Sequence, residues 1–122
     1  MTANIVVDQA SEADLDAAVL LFNAYRVFYR QSSDMDAARR FLAERFRRRD
    51  AVMFLARMDG AACGFTQLYP SLSSVAMRPI WVLNDLYVSP TARGRGVGRR
   101  LRSEEHTSEL QSLRHLVYRL LL

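Results

Sequence analysis

Residues 93–98 read Arg-Gly-Arg-Gly-Val-Gly, three alternating glycines that follow a β-branched, aromatic run and precede a helix start. Glycine has no Cβ, so successive main-chain N–H groups can converge there and an anionic oxygen can approach the backbone. A helix opening at such a turn adds the positive end of its dipole, and the ligand this suits is a phosphate. A nucleotide P-loop needs a Gly-Lys-Ser/Thr ending, and the chain contains no lysine. A dinucleotide fingerprint needs Gly-x-Gly-x-x-Gly early in a βαβ unit, whereas Gly94, Gly96 and Gly98 alternate after several strands. Nucleic acid is a third phosphate source, but the Arg-Gly stretch lacks the interleaved aromatic residues that stack on bases.

The chain has 122 residues, half of them hydrophobic and 25% charged, which suits one soluble domain with a core. No apolar run approaches the roughly 20 residues that span a bilayer. Met1-Thr2-Ala3-Asn4 lacks the basic and apolar regions of a signal peptide, so a cytoplasmic location without a membrane partner is expected. All seventeen basic residues are arginine, a pattern of GC-rich coding more than of chemistry, and the net charge is +4. The cluster at 45–49 reads as a solvated helix end, because cations suit a helix C-terminus. Cys63, the single cysteine, excludes an internal disulfide, offers no metal spacing, and reads as a small core residue in a strand.

Residues 4–8 predict an opening strand, and Ser11 with Asp14 predicts the cap of a helix over about 12–30. Leu15, Val19, Phe22, Tyr25, Arg26 and Tyr29 recur on one face of it. Ser33 or Asp34 caps a second helix to about 48, with Ala38, Phe41, Leu42, Arg45 and Phe46 on one side. Asp59-Gly60 predicts a hairpin between strands 52–56 and 61–69, the second stopped by Pro70. A Ser-rich connection, 72–79, leads to the strongest strand, 80–88, which Ser89-Pro90 ends. The order implies an α+β fold, a mostly antiparallel sheet flanked by helices, with four strands and three helices.

Arg93-Gly94-Arg95-Gly96-Val97-Gly98 fits the Arg/Gln-x-x-Gly-x-Gly/Ala signature of the GNAT superfamily of N-acetyltransferases, and Leu83-Asn84-Asp85-Leu86-Tyr87-Val88 is similar to the strand before it there. The resemblance covers residues 4–101. Tyr25-Arg26, Phe28-Tyr29 and Phe65-Thr66-Gln67-Leu68-Tyr69-Pro70 are similar to a bacterial branch acting on small molecules. The resemblance implies acetyl-CoA as co-substrate and an amine acceptor, a small molecule ahead of the others, with amino acid, antibiotic and protein N-terminus left open, no nucleic-acid partner, and a parent protein compatible with a homodimer. It implies that the amides of Arg95, Gly96, Val97, Gly98 and Arg99 wrap the CoA diphosphate, with Arg93 and Gly94 opening the loop. Main-chain groups of Leu86 and Val88, flanking Tyr87, would pair with the pantetheine arm as an added strand does. Amine attack on a thioester needs a proton acceptor, an oxyanion donor near Val88 and an acid for the thiolate. Asp85 is the candidate for the first, against a bland reading in which it pairs with an arginine such as Arg78. Asn84 is the candidate to position the amine or a water, and Tyr29 and Tyr69 to line the acceptor pocket. The tyrosine that protonates the thiolate in many relatives has no counterpart at Tyr118. A CoA-sensing module without catalysis is the alternative on the same fold.

From Arg102 onward the resemblance stops, and Arg-Ser-Glu-Glu-His-Thr-Ser-Glu-Leu-Gln-Ser is similar to a translated DNA sequencing adapter, with residues 115–122 as its continuation. The expectation is an incomplete acetyltransferase domain over 1–101 and an artefactual tail over 102–122. Loss of a fifth strand would then leave the 80–88 strand with an unpaired edge and the chain inactive.

Overall fold

The computed structural model describes residues 4–102 and 116–118. The chain runs β1 (Ile5–Gln9), α1 (Leu15–Phe28), α2 (Met35–Arg48), β2 (Val52–Met58), β3 (Ala61–Ser73), β4 (Arg78–Val88), α3 (Val97–Arg102) and β5 (Leu116–Tyr118), with short 3₁₀ turns before α1 and after β4. The strands lie in sequence order in one sheet, antiparallel except where β5 joins β4 in parallel. This is the expected α+β architecture.

Capping chemistry sets the helix starts. The Ser11 N–H donates to Asp14 Oδ2 at 2.9 Å, and Asp34 Oδ1 accepts from the Ala37 N–H at 3.0 Å. Arg49, in the left-handed region at φ 54°, ends α2. Arg47 and Arg48, exposed and paired with Glu44, are the solvated helix end expected, whereas Arg45 is partly buried and its Nε pairs with Asp50 at 3.0 Å.

Two predicted boundaries are corrected. Pro70 does not stop β3, which continues to Ser73. β2 begins at Val52, opposite Leu68, so among the described residues no strand pairs with β3 on that side beyond Leu68, and Pro70 stands on an edge where proline is tolerated. The Ser-rich connection is correspondingly shorter, because β4 starts at Arg78, opposite Ser73. The edge expectation also changes. Residues 116–118 pair with Trp81, Val82 and Leu83, so β4 is covered there. The rest of the adapter-like string, 103–115 and 119–122, lies outside the described residues.

Alternation along the strands divides the core between two faces. Leu55, Phe65 and Tyr87 pack against Val19 and Phe22 of α1 and Leu42 of α2. Phe54, Cys63 and Leu83 face the other way, against Val97 and Leu101 of α3. Gly64 permits that second contact: a Cβ there would stand 2.9 Å from the Tyr87 carbonyl oxygen and 3.2 Å from Leu101 Cδ1.

Candidate active site

The site begins with a slip in the β3–β4 register. Leu68 faces Leu83, but the next residue of β3, Gln67, faces Asp85, so Asn84 is an extra residue in β4. A bulge reverses the side-chain phase of the strand beyond it. Leu83 therefore faces α3, whereas Asp85 and Tyr87 face α1 and α2.

Asp85 is buried, at 7% exposure. Tyr25 donates its hydroxyl to Asp85 Oδ1 at 2.8 Å, and Asn84 Nδ2 donates to the same oxygen at 3.1 Å. Both bonds land on Oδ1, which leaves Oδ2 to receive a proton. The Asp85 carbonyl accepts from Thr66 Oγ1 at 2.9 Å, fixing the backbone from the opposite strand. Burial pushes the carboxyl above its ordinary value, and the bonds from Tyr25 and Asn84 only partly pull it back. The bland pairing with Arg78 is not formed, since Arg78 lies opposite Ser73 at the far end of the hairpin.

Tyr25 is the site residue that sequence reasoning left without a role. Its ring sits 5.1 Å from that of Tyr29, 5.5 Å from Phe65 and 6.1 Å from Tyr87, each edge-on. Burial first, and then the neighbouring Asp85, raise its hydroxyl well above the ordinary tyrosine range, so it stays a donor. Its signals were membership of the α1 stripe and of the Tyr25-Arg26 pair that carries the resemblance, and neither pointed to Asp85. Burial chiefly, and then the charge of Asp85, raise the Tyr69 hydroxyl likewise; along β3 Tyr69 stands two residues from Gln67, the residue opposite Asp85. Tyr29 is half exposed at the rim.

Beyond Val88, a 3₁₀ turn at Pro90–Ala92 leads into the glycine loop. Gly94 and Gly96 take φ 78° and 83°, and a Cβ at either would meet nothing within 4 Å. The Arg100 N–H, bonding to the Gly96 carbonyl at 3.1 Å, is the first helical donor shown for α3. Amides ahead of it have no acceptor within the helix. The Val97 side chain is core, so only its amide can serve a ligand, while Arg95 and Arg99 are exposed. Gly98 differs from its neighbours, because a Cβ there would make ordinary contact, 3.8 Å from Val88 Cγ2.

Arg93 folds back over the strand end. Its Nε donates to the Val88 carbonyl at 2.9 Å, and its guanidinium lies 5.1 Å above the Phe28 ring and 5.7 Å above Tyr87. The Val88 acceptor expected for pantetheine is thus engaged by the Arg93 side chain. Tyr87 is buried in the core, and Leu86 packs against the α3 side. Among the described residues, no strand pairs with 84–88 on the side away from β3.

The family model for the acetyltransferase (GNAT) family matches residues 18–110. The chain belongs to the GNAT family. The uncharacterised N-acetyltransferase YhfO of Bacillus subtilis is 48% identical over 97 residues, 80% of this chain and 65% of that protein. The chain therefore spans just under two thirds of that curated relative. The crystal structure of a probable acetyltransferase matches with TM-score 0.81 and 35% identity, over 93% of this chain and 78% of that one. An aminoglycoside N-acetyltransferase, AAC(6')-Iy in complex with CoA, has TM-score 0.76 at 20% identity over 98% of this chain and 78% of its own, which bears on the fold alone. Within the GNAT fold, the bulge and the glycine loop stand at successive positions along one strand and its exit.

Proposed function

We propose that the domain transfers the acetyl group of acetyl-CoA to a small-molecule primary amine, with Asp85 as proton acceptor. The observation that carries this is the Asp85 carboxyl: buried, raised, and held by Tyr25 and Asn84 through Oδ1 alone, so that neither bond occupies Oδ2. A base poised nearer neutrality than an ordinary carboxylate suits an amine that must lose a proton during attack.

The residues fit the CoA group. Positive φ at Gly94 and Gly96 leaves open space beside the loop, the first amides of α3 precede any helical acceptor, and residues 84–88 offer a strand edge for an amide-bearing arm. Acetyl-CoA would supply the acyl group as a thioester. Tyr25 and Asn84 orient the carboxylate, Asp85 Oδ2 takes the amine proton, and the strand end near Val88 supplies an oxyanion donor. The CoA complex of the aminoglycoside N-acetyltransferase supports the choice of co-substrate. A cytoplasmic location, and a boundary at 101 with the adapter-like residues contributing nothing to chemistry, belong to the same reading.

The test is release of CoA thiol on mixing the chain with acetyl-CoA and a panel of aminoglycosides, amino acids and polyamines. Turnover above that of Gly96→Glu and Asp85→Asn is expected, and it would also remove the expectation that this 122-residue chain is inactive. CoA binding without transfer to any amine sinks the catalytic reading in favour of a CoA-sensing role.

A further inference from the structure

Gln67 is 1% exposed, and its Oε1 has no hydrogen-bond partner among the described residues. A buried carbonyl left unpaired is costly, and native proteins retain few of them without a reason. The bulge puts this one in a particular place. Had the register at Leu68–Leu83 continued, Asn84 would stand opposite Gln67; the extra residue brings Asp85 there instead. Residues directly opposite in a sheet project from the same face. Gln67 therefore shares the α1/α2 face with Asp85, between Phe65 and Tyr69 along β3.

A primary amine brings at least two N–H bonds into a site. One proton leaves during attack; another stays on nitrogen and, in a dry pocket, needs an acceptor. An amide oxygen accepts without ever taking the proton, and so differs from a carboxylate.

We propose that Gln67 is a positioning residue of the acceptor site: its Oε1 receives the N–H that the amine keeps, while Asp85 receives the one it loses. This rests on the reading of Asp85 as proton acceptor. The two acceptors face the same amine from neighbouring strands, so the nitrogen lone pair is aimed by the sheet rather than by a loop. The ligand class is a small primary amine.

The test is titration of the 122-residue chain with benzylamine, alongside thermal melts. Gln67→Met, similar in shape but without the oxygen, is expected to weaken benzylamine binding about tenfold and to raise the melting temperature by about 2–5 °C, because an orphan acceptor leaves the core. Gln67→Glu keeps an oxygen there and should hold affinity within about threefold. A structural Gln67 predicts the reverse, a lower melting temperature and unchanged affinity, and that result overturns the proposal. So does a wild-type chain that binds no benzylamine, or a methionine variant that fails to fold. Acetyl transfer is scored separately: amine binding through Gln67 with no transfer to any amine removes the catalytic reading and leaves this one standing.

Discussion

The bulge at Asn84 and the loop at 93–98 are separated by a few residues of one strand, yet they are built on opposite principles. The first is a cluster of side chains, the buried Asp85 and Gln67 with the partly buried Tyr25, whose chemistry lies in their polar atoms. The second is an exposed stretch of main chain, in which Gly94 and Gly96 matter for the side chains they lack. The buried cluster should be disabled by replacements that preserve the fold. The loop should be disabled only by replacements that change its backbone or fill its space.

The largest effect is expected at Asp85. Removing a general base costs on the order of 10²–10⁴ in rate, so Asp85→Asn should abolish measurable CoA release while leaving CoA affinity intact. Stability should move the other way. The folded carboxyl titrates above its ordinary value, so between the two values the folded chain holds more protons than the unfolded one, and stability falls as pH rises through that window. Asn escapes this loss, and at neutral pH the variant should melt higher than wild type. A lower melting temperature would mean that the charge is structural.

In the loop, Gly96→Ala places a Cβ at φ 83°, which costs roughly 1–2 kcal/mol and should weaken CoA binding about tenfold by calorimetry. Gly98→Ala tests whether all three glycines act alike. Its backbone is helical and its space is adequate, so the substitution should raise the melting temperature, by roughly 0.5–1 kcal/mol of added stability. Equal losses at Gly96 and Gly98 would erase the distinction between a backbone position and a merely small one.

The loop was legible because its information is local: three glycines, a strand before and a helix after. Helix caps at Ser11 and Asp34 and the Asp59-Gly60 hairpin were legible for the same reason. The Asp85 cluster was only half legible. Asp85 stood out as an acid inside an apolar run, but its partner Tyr25 is sixty positions away in sequence, and nothing local joins the two. Nor could alternation reveal Asp85's face, because one extra residue at Asn84 reverses it. Gly64 was missed altogether, since what demands a glycine is the Tyr87 carbonyl across the sheet. Gly64→Ala must shift backbone, not a flexible side chain. A loss of roughly 1–3 kcal/mol is expected by chemical denaturation, with weaker CoA binding because α3 docks through the same contact.

The smallest effect on ligand affinity, none, is expected where neither site reaches. Arg57 of β2 donates to Asp14 Oδ1 at 2.7 Å, tying the start of α1 to the sheet, with both side chains partly buried. The Ser11 N–H, chiefly, and then Arg57 hold the Asp14 carboxyl below its ordinary value. Its contribution to stability is therefore complete above the ordinary carboxylate value and fades as pH falls through the lowered one. Asp14→Asn should cost about 1 kcal/mol at pH 7, read as a drop of roughly 4–8 °C in melting temperature, and less in acid, where wild type has lost the same charge. CoA and amine affinities should stay unchanged. If either moves with Asp14, the start of α1 is coupled to Tyr25 along the helix, and the buried cluster extends farther from β4 than its hydrogen bonds show.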